Sequence, residues 1–400
     1  MKAELLLNLQ LILGTSLLIL LGVFTFLLIN RIRQRREQLT SGESGQPAFP
    51  YPYRRDAEPD AGLFNQPQTE ADALITSAYA HWLENFLLPD AEPGRAFVRT
   101  GVAKNWLRYQ LTATSLAQAA GMLACVLQAG ADPLAQTRFD ALLAFCLSRP
   151  SVNNPDLMRW QVMPDVVPGA RLDADPRAEA WLAFAQLCGA AQWTRSSRFD
   201  YTQLAKLRLD ALLAWLNSGN IGAPQSRLIS PAFARLFQRS TSREDWLKVA
   251  NTEAIHAGEP AELDYTRDAQ SAAPDEEAQH ALLALAYGVL PDNQTHGKPA
   301  DSLPPGSDLV NMLANLKDRL GAASSQSDGF SPLSVLACFA AAASGSENAE
   351  LSRAYWDLLS RTEAPFGDGL AATLRLIGLM ALNGNLWFAE AFSEPPSFQN

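Results

Sequence analysis

The sequence is short of the residues that hold metals or contact phosphates. It has four histidines and four cysteines in 400 residues, and its 32 Lys and Arg are outnumbered by 42 Asp and Glu, a formal net charge of −10. Phosphate backbones are bound by basic faces, so no nucleic-acid partner is expected. Cys125, Cys146, Cys188 and Cys338 form no C-x-x-C pair, and each lies in an apolar run. With so few histidines beside them, neither a zinc site nor any other metal or cofactor is expected, and the cysteines read as small buried apolar residues. Charged residues make up only 18% of the chain. No convincing alternating strand is found, which points to an all-α chain.

What is abundant is apolar and helix-forming: 48% of the residues are hydrophobic, with alanine and leucine dominant. Residues 5–29, "LLLNLQLILGTSLLILLGVFTFLLI", form one long apolar stretch. About 20 such residues cross the hydrocarbon layer as a helix. The stretch is too long for an ordinary signal peptide and lacks its small-residue cleavage site, so it reads as a single transmembrane helix. Arg31, Arg33, Arg35 and Arg36 follow it, and the positive-inside bias places that side in the cytoplasm, with a periplasmic domain as the alternative. Residues 1–36 are therefore an anchor with a basic flank. Residues 37–68, rich in Pro, Gly and acidic residues, read as a flexible linker.

Residues 69–400 read as about a dozen helices. "SLAQAAGMLACVLQAG", "RAEAWLAFAQLCGAAQW" and "SPLSVLACFAAAAS" show apolar residues three and four apart. Several of these segments open at Ser, Asp or Pro and close near Gly, the usual helix punctuation. Hairpins of helices arranged in a ring, or a superhelical stack, would both satisfy this pattern.

"TATSLAQAAGM" (Thr112 to Met122) resembles the T-S-E-G-Q-S-Y-G-M segment of glycoside hydrolase family 8, and in particular the endoglucanases that accompany bacterial cellulose synthesis. Thr114, Ser115, Gln118, Gly121 and Met122 match. "RFDALLAFCLSRP", "AEAWLAFAQLCGAAQW", "RLISPAFARLFQR" followed by Trp246, "ALAYGVLPD" and "DGFSPLSVLACF" are similar to later family segments in the same order, over roughly residues 80 to 388. The resemblance implies an (α/α)6 barrel, as in the six-hairpin glycosidases.

Glycosidases use a carboxylic acid as proton donor and a second, ionised carboxylate as base or nucleophile. The resemblance puts the donor at Leu116, which has no proton to give. The family's Gly and Tyr in the same segment are Ala117 and Ala120. The base position, counted back from Gly288, falls on Gln279, with Asp275, Glu276 and Glu277 nearby as substitutes. The family's sugar-binding D-x-D pair matches Asp173 and Asp175 by type, or Arg177 and Glu179 by spacing. Asp175 ahead of Pro176 also has the look of a helix cap. Trp106, Trp160 and Trp181 offer faces for sugar stacking, or core packing. Trp193, Trp215 and Trp387 read as core, and His280 stands alone on its helix. The reading is a degenerate, non-hydrolytic member: a membrane-tethered scaffold or regulator for a partner in a polysaccharide synthase or secretion complex. An endo-β-glucanase with relocated acids and a β-glucan-binding module are the alternatives.

Overall fold

The computed structural model describes residues 45–53, 68–104, 109–162, 173–193, 196–218, 229–250, 274–290, 330–345, 348–365 and 367–392, with Val23 and a few positions between 313 and 320. The apolar run 5–29 and its arginines lie outside the described residues, Val23 excepted. Among the described residues no helix is long and apolar enough to cross a membrane.

The chain is mostly helical. Its elements are α1 (Gln68–Asn85), β1 (Leu87–Pro89), β2 (Ala96–Val98), β3 (Gly101–Lys104), β4 (Tyr109–Thr114), α2 (Ser115–Leu127), α3 (Ala135–Leu147), β5 (Gln161–Val162), α4 (Pro176–Gln192), α5 (Tyr201–Asn217), α6 (Pro231–Thr241), α7 (Pro274–Val289), α8 (Pro332–Ala343), α9 (Ala349–Arg361), α10 (Gly369–Leu382) and α11 (Phe388–Ala391). The expectation of no strand needs correction. β1 pairs antiparallel with β2, and β3, β4 and β5 form a second antiparallel sheet. In "YQLTAT" (Tyr109 to Thr114), Tyr109, Leu111 and Ala113 alternate with Gln110, Thr112 and Thr114. That is the two-residue period of a strand, running without a break into α2.

Six helices close a ring. α2 packs on α4 and α10, α8 packs on α7 and α10, and α6 touches α7. The last junction, α4 with α6, is aromatic: Phe184 stacks on Phe233 at 4.6 Å between ring centroids, and Trp181 meets the same ring edge-on at 4.8 Å. α1, α3, α5 and α9 pack outside this ring. The inner helices point the same way. At one end, the Ser115 amide donates to the Trp160 carbonyl and the Trp160 amide to that of Asp173, which joins the starts of α2 and α4. At the other end, Gln192 of α4 donates to the Val126 carbonyl of α2 (2.9 Å), and Gln128, just past α2, donates to the Met380 sulfur of α10.

Local punctuation fixes the helix starts. Side chains of Thr114, Asp175, Asp200, Ser230, Ser331, Asn348 and Asp368 each accept a first-turn amide, satisfying donors that have no intrahelical partner. Proline follows Asp175, Ser230 and Ser331, where its missing N–H costs nothing. The four cysteines are buried and unpaired, as expected of small apolar residues. Burial pushes the Cys125 and Cys146 thiols up to about 12.

Part of the expected flexible linker is built into the fold. Residues 45–53 lie across the end of the ring where α2 and α4 finish. The Ala48 amide donates to the Gln192 carbonyl, the Phe49 amide to Gln192 Oε1, and the Tyr51 amide to the Ala129 carbonyl. Tyr51 is buried, and Phe49 stacks on Trp387 at 4.4 Å. Residues 54–67 lie outside the described residues.

Candidate active site

The starts of the inner helices gather at one pole of the ring, and most of the residues singled out in the sequence lie there. Leu116 is in the first turn of α2, after the cap Thr114, and is half-buried against the core. The residues around it explain the segment that carries the family resemblance. Gln118 is fully buried; its Oε1 accepts from the Val98 amide at 2.8 Å, and its Nε2 donates to the carbonyls of Val98 and Thr114 at 3.1 Å each. A Cβ on Gly121 would meet Val98 Cγ2 at 2.5 Å, so glycine lets β2 lie against α2. Met122 is fully buried. The matching positions thus dock β2 on α2 and start the helix. The positions that differ, Leu116, Ala117 and Ala120, are apolar, and both alanines are buried.

Asp173 and Asp175 lie at the start of α4, beside the start of α2. Asp173 Oδ1 accepts from Ser151 Oγ (3.1 Å) and the Ala174 amide (2.8 Å). Asp175 Oδ1 caps α4 by accepting from the Arg177 amide at 3.0 Å, and both its oxygens face the Arg177 guanidinium at 3.2 and 3.3 Å. Capping is therefore the work Asp175 does within the fold. Asp175→Ala should lose about 1 kcal/mol in urea denaturation, whereas Asp175→Asn, an equally good cap, should leave stability nearly unchanged.

The other frame of the D-x-D comparison, Arg177 and Glu179, does not form a pair. Glu179 is fully buried and points to α5, where it bonds Arg208 and accepts from the Met158 amide at 2.9 Å. Arg208 Nε donates to Gln186 at 3.1 Å. This carboxylate is fully buried in the wall of the barrel, between α4 and α5.

Trp160 is half-buried, with its backbone bridging Ser115 and Asp173. Trp181 is core, packed on Phe184 and Phe233. Trp193 and Trp387 are buried as well, and Trp215 is partly so. Trp106 lies outside the described residues. Asp275, Glu276, Glu277, Gln279 and His280 fall in the first half of α7, whose start joins the same pole. One to two turns further along α7, Leu282 and Ala286 line a cavity of about 10 Å³ with Arg177, Trp181, Ser230 and Phe233. That is the room of a single water, and it marks how closely α4, α6 and α7 pack below the pole. Among the described residues no group of His, Cys, Asp or Glu is placed to hold a metal.

One acid at this pole was missed in the sequence. Asp368 caps α10, the ring neighbour of α2, and accepts from the Ala371 amide at 2.9 Å and from Ser331, the cap of α8. Burial raises its pKa above the ordinary aspartate value, while these bonds pull it back down. The signal was present: an Asp just before the apolar period of "GLAATLRLIGLMAL" marks a helix start. Its place beside the start of α8 is a matter of ring closure and has no trace in the local sequence.

No protein-family model matches the chain. A curated beta-glucanase of Niallia circulans is 31% identical over 121 residues, 30% of this chain and 30% of that protein. An endoglucanase of Bacillus sp. (strain KSM-330) is 28% identical over 141 residues, 35% of this chain and 30% of that protein. The matched stretch thus spans under a third of the length of either relative. The structural likeness is broader. A beta-1,3-1,4-glucanase from Paenibacillus sp. X4 superposes with a TM-score of 0.61 at 18% identity, covering 82% of this chain and 95% of that one. A cold-adapted family 8 xylanase gives 0.57 at 16% identity, covering 80% and 93%. A reducing end xylose-releasing exo-oligoxylanase gives 0.58 at 18%, covering 81% and 94%. The structural neighbours are family 8 glycoside hydrolases of the (α/α)6 fold and the curated relatives are glucanases; this chain shares that fold.

Proposed function

We propose that this chain is a membrane-anchored, family 8-like protein that has given up hydrolysis. It serves as a scaffold or regulator in the synthesis or secretion of a cellulose-type exopolysaccharide. The observation that carries this reading is Leu116. It stands in the first turn of α2, where the resemblance puts the proton donor, and an alkyl side chain cannot protonate a leaving sugar oxygen. Loss of general acid catalysis alone lowers a rate by about 10²–10⁴-fold. The buried alanines at positions 117 and 120 remove polar groups from the same stretch. The apolar run 5–29 and the arginines after it support an inner-membrane anchor with the barrel on the cytoplasmic side.

The purified chain is expected to release no reducing sugar above background from mixed-linkage β-glucan, carboxymethylcellulose or xylan. Measurable turnover would sink the non-hydrolytic reading. A second reading, hydrolysis with relocated acids, draws support from Asp368, a carboxyl group at the same pole with a raised pKa. Turnover that disappears in Asp368→Asn would establish it. A reporter fused after Asn400 tests the sidedness.

A further inference from the structure

The segment 45–53 does more than connect. It begins at the pole opposite the candidate site, where the Gly45 amide donates to Gln136 Oε1 at the start of α3. It then crosses the ends of α4 and α2 through the backbone bonds of Ala48, Phe49 and Tyr51. Gln192 is committed to holding it: its Oε1 accepts from the Phe49 amide, and its Nε2 donates to the Phe49 carbonyl at 2.9 Å. Side chains lock the crossing. Phe49 lies flat on Trp387, Tyr53 bonds Glu390, and Pro50 sits where Gly130 has no Cβ; a Cβ there would come within 2.8 Å of Pro50. Gly130 also has φ +101°, a conformation that suits glycine. The acceptors and the stacking partner come from the ends of α2 and α4, the start of α3, and α11 with the residue before it, so this end of the barrel is shaped to receive the segment.

We infer that residues 45–53 are a strap that sets the orientation of the barrel at the membrane. It holds the ends of α2 and α4 toward the bilayer and the pole of Leu116 and Asp368 away from it. The inference rests on the anchor reading of residues 5–29. Without the strap, the lead from Ile29 would run to Gln68, and 39 residue steps at full extension reach about 135 Å. With the strap docked, the lead ends at Gly45 after 16 steps, about 55 Å. If the arginines up to Arg36 stay at the headgroups, nine steps remain, about 30 Å. A domain of this size is about 50 Å across, so that lead cannot carry the opposite pole round to the lipid. The partner or polymer served by the candidate site is then one that approaches from the aqueous side.

The test uses the full chain in phosphatidylethanolamine–phosphatidylglycerol vesicles that carry an acceptor-labelled lipid. Because the native cysteines are buried, a donor dye can be placed by Ala131→Cys, exposed near the strap, or by Val152→Cys, 65% exposed beside Ser151 at the candidate-site pole. Energy transfer to the lipid should be stronger from position 131 than from 152. The difference should collapse in Phe49→Ser/Tyr51→Ser and, with the barrel untouched, when a long Gly/Ser stretch is inserted after Glu37. Equal transfer from both positions, or a difference that survives the insertion, overturns the inference. Flotation of the same samples separates the causes: a chain that does not float with vesicles refutes the anchor, and the strap's orienting role with it. A floating chain with equal transfer refutes the strap alone.

Discussion

Arg208→Ala should destabilise the barrel by about 3–5 kcal/mol, the usual result of removing one partner from a buried ion pair. Arg208 is 2% exposed and Glu179 not at all. Arg208 joins Glu179 of α4 to α5 and also bonds Gln186. Burial pushes the pKa of Glu179 up, and Arg208 is the main influence pulling it back down. Without the guanidinium, the Met158 amide is the remaining hydrogen-bond donor to Glu179 among the described residues, and the carboxylate is left buried away from water. The pH dependence follows. A carboxyl group with a raised folded pKa favours the native state while protonated and loses that advantage as pH rises through the raised value. The deficit of Arg208→Ala, measured by urea denaturation, should therefore be largest at neutral pH and shrink toward pH 4. Glu179→Gln added to Arg208→Ala should recover much of the neutral-pH loss, since a neutral amide still accepts from Met158. Asp210→Ala, which breaks only the exposed contact with Arg243 (52% and 49% exposed), should change stability by less than about 1 kcal/mol. An equally small effect of Arg208→Ala at pH 7 would show that the pair does not hold α4 to α5.

Gly288→Ala should weaken the ring at the α7–α8 seam by about 3 kcal/mol, the upper part of the range for overpacked cores. A Cβ at 288 would lie 2.3 Å from the carbonyl oxygen of Ala341 and 2.4 Å from its carbonyl carbon. Both atoms are backbone, so no rotamer relieves the clash and α7 must move off α8. That displacement would spread to α10, the other ring neighbour of α8. Gly378→Ala, at the α8–α10 seam, is the graded comparison. Its Cβ would meet the Ala337 carbonyl oxygen at 2.9 Å and the movable end of Leu359 at 3.2 Å, and its effect should be clearly smaller. Thermal or urea unfolding of the two variants gives the order directly, and the reverse order would contradict the seam geometry.

The residues that match the family segment explain why the fold was legible from that segment. Thr114 caps α2, Gln118 and Gly121 seat β2, and Met122 fills the core. These roles are packing and backbone roles, and they persist whatever stands at position 116. The strands were overlooked because each is short, two to six residues. β4 carries a clear two-residue alternation, but its last residue is also the α2 cap. The docking of residues 45–53 escaped the sequence for a related reason. Gly45 and the prolines at 47, 50 and 52 argue against a helix in 45–53, and the segment forms none. Whether such a segment is free or docked depends on acceptors such as Gln192 and Ala129, which lie far along the sequence.

By itself the sequence determined the helical character, most helix starts, the burial of its cysteines and the alkyl side chain at position 116. These are local properties: periodicity, cap chemistry and side-chain identity act over a few residues. The tertiary structure alone decided that six helices close a ring, that Glu179 faces Arg208 inside its wall, that Asp368 meets Ser331 at the pole near Leu116, and that residues 45–53 are held at the opposite end. Each of these joins residues tens to hundreds of positions apart. Only the packing of whole helices brings such groups within bonding distance, and no short stretch of sequence encodes its distant partner.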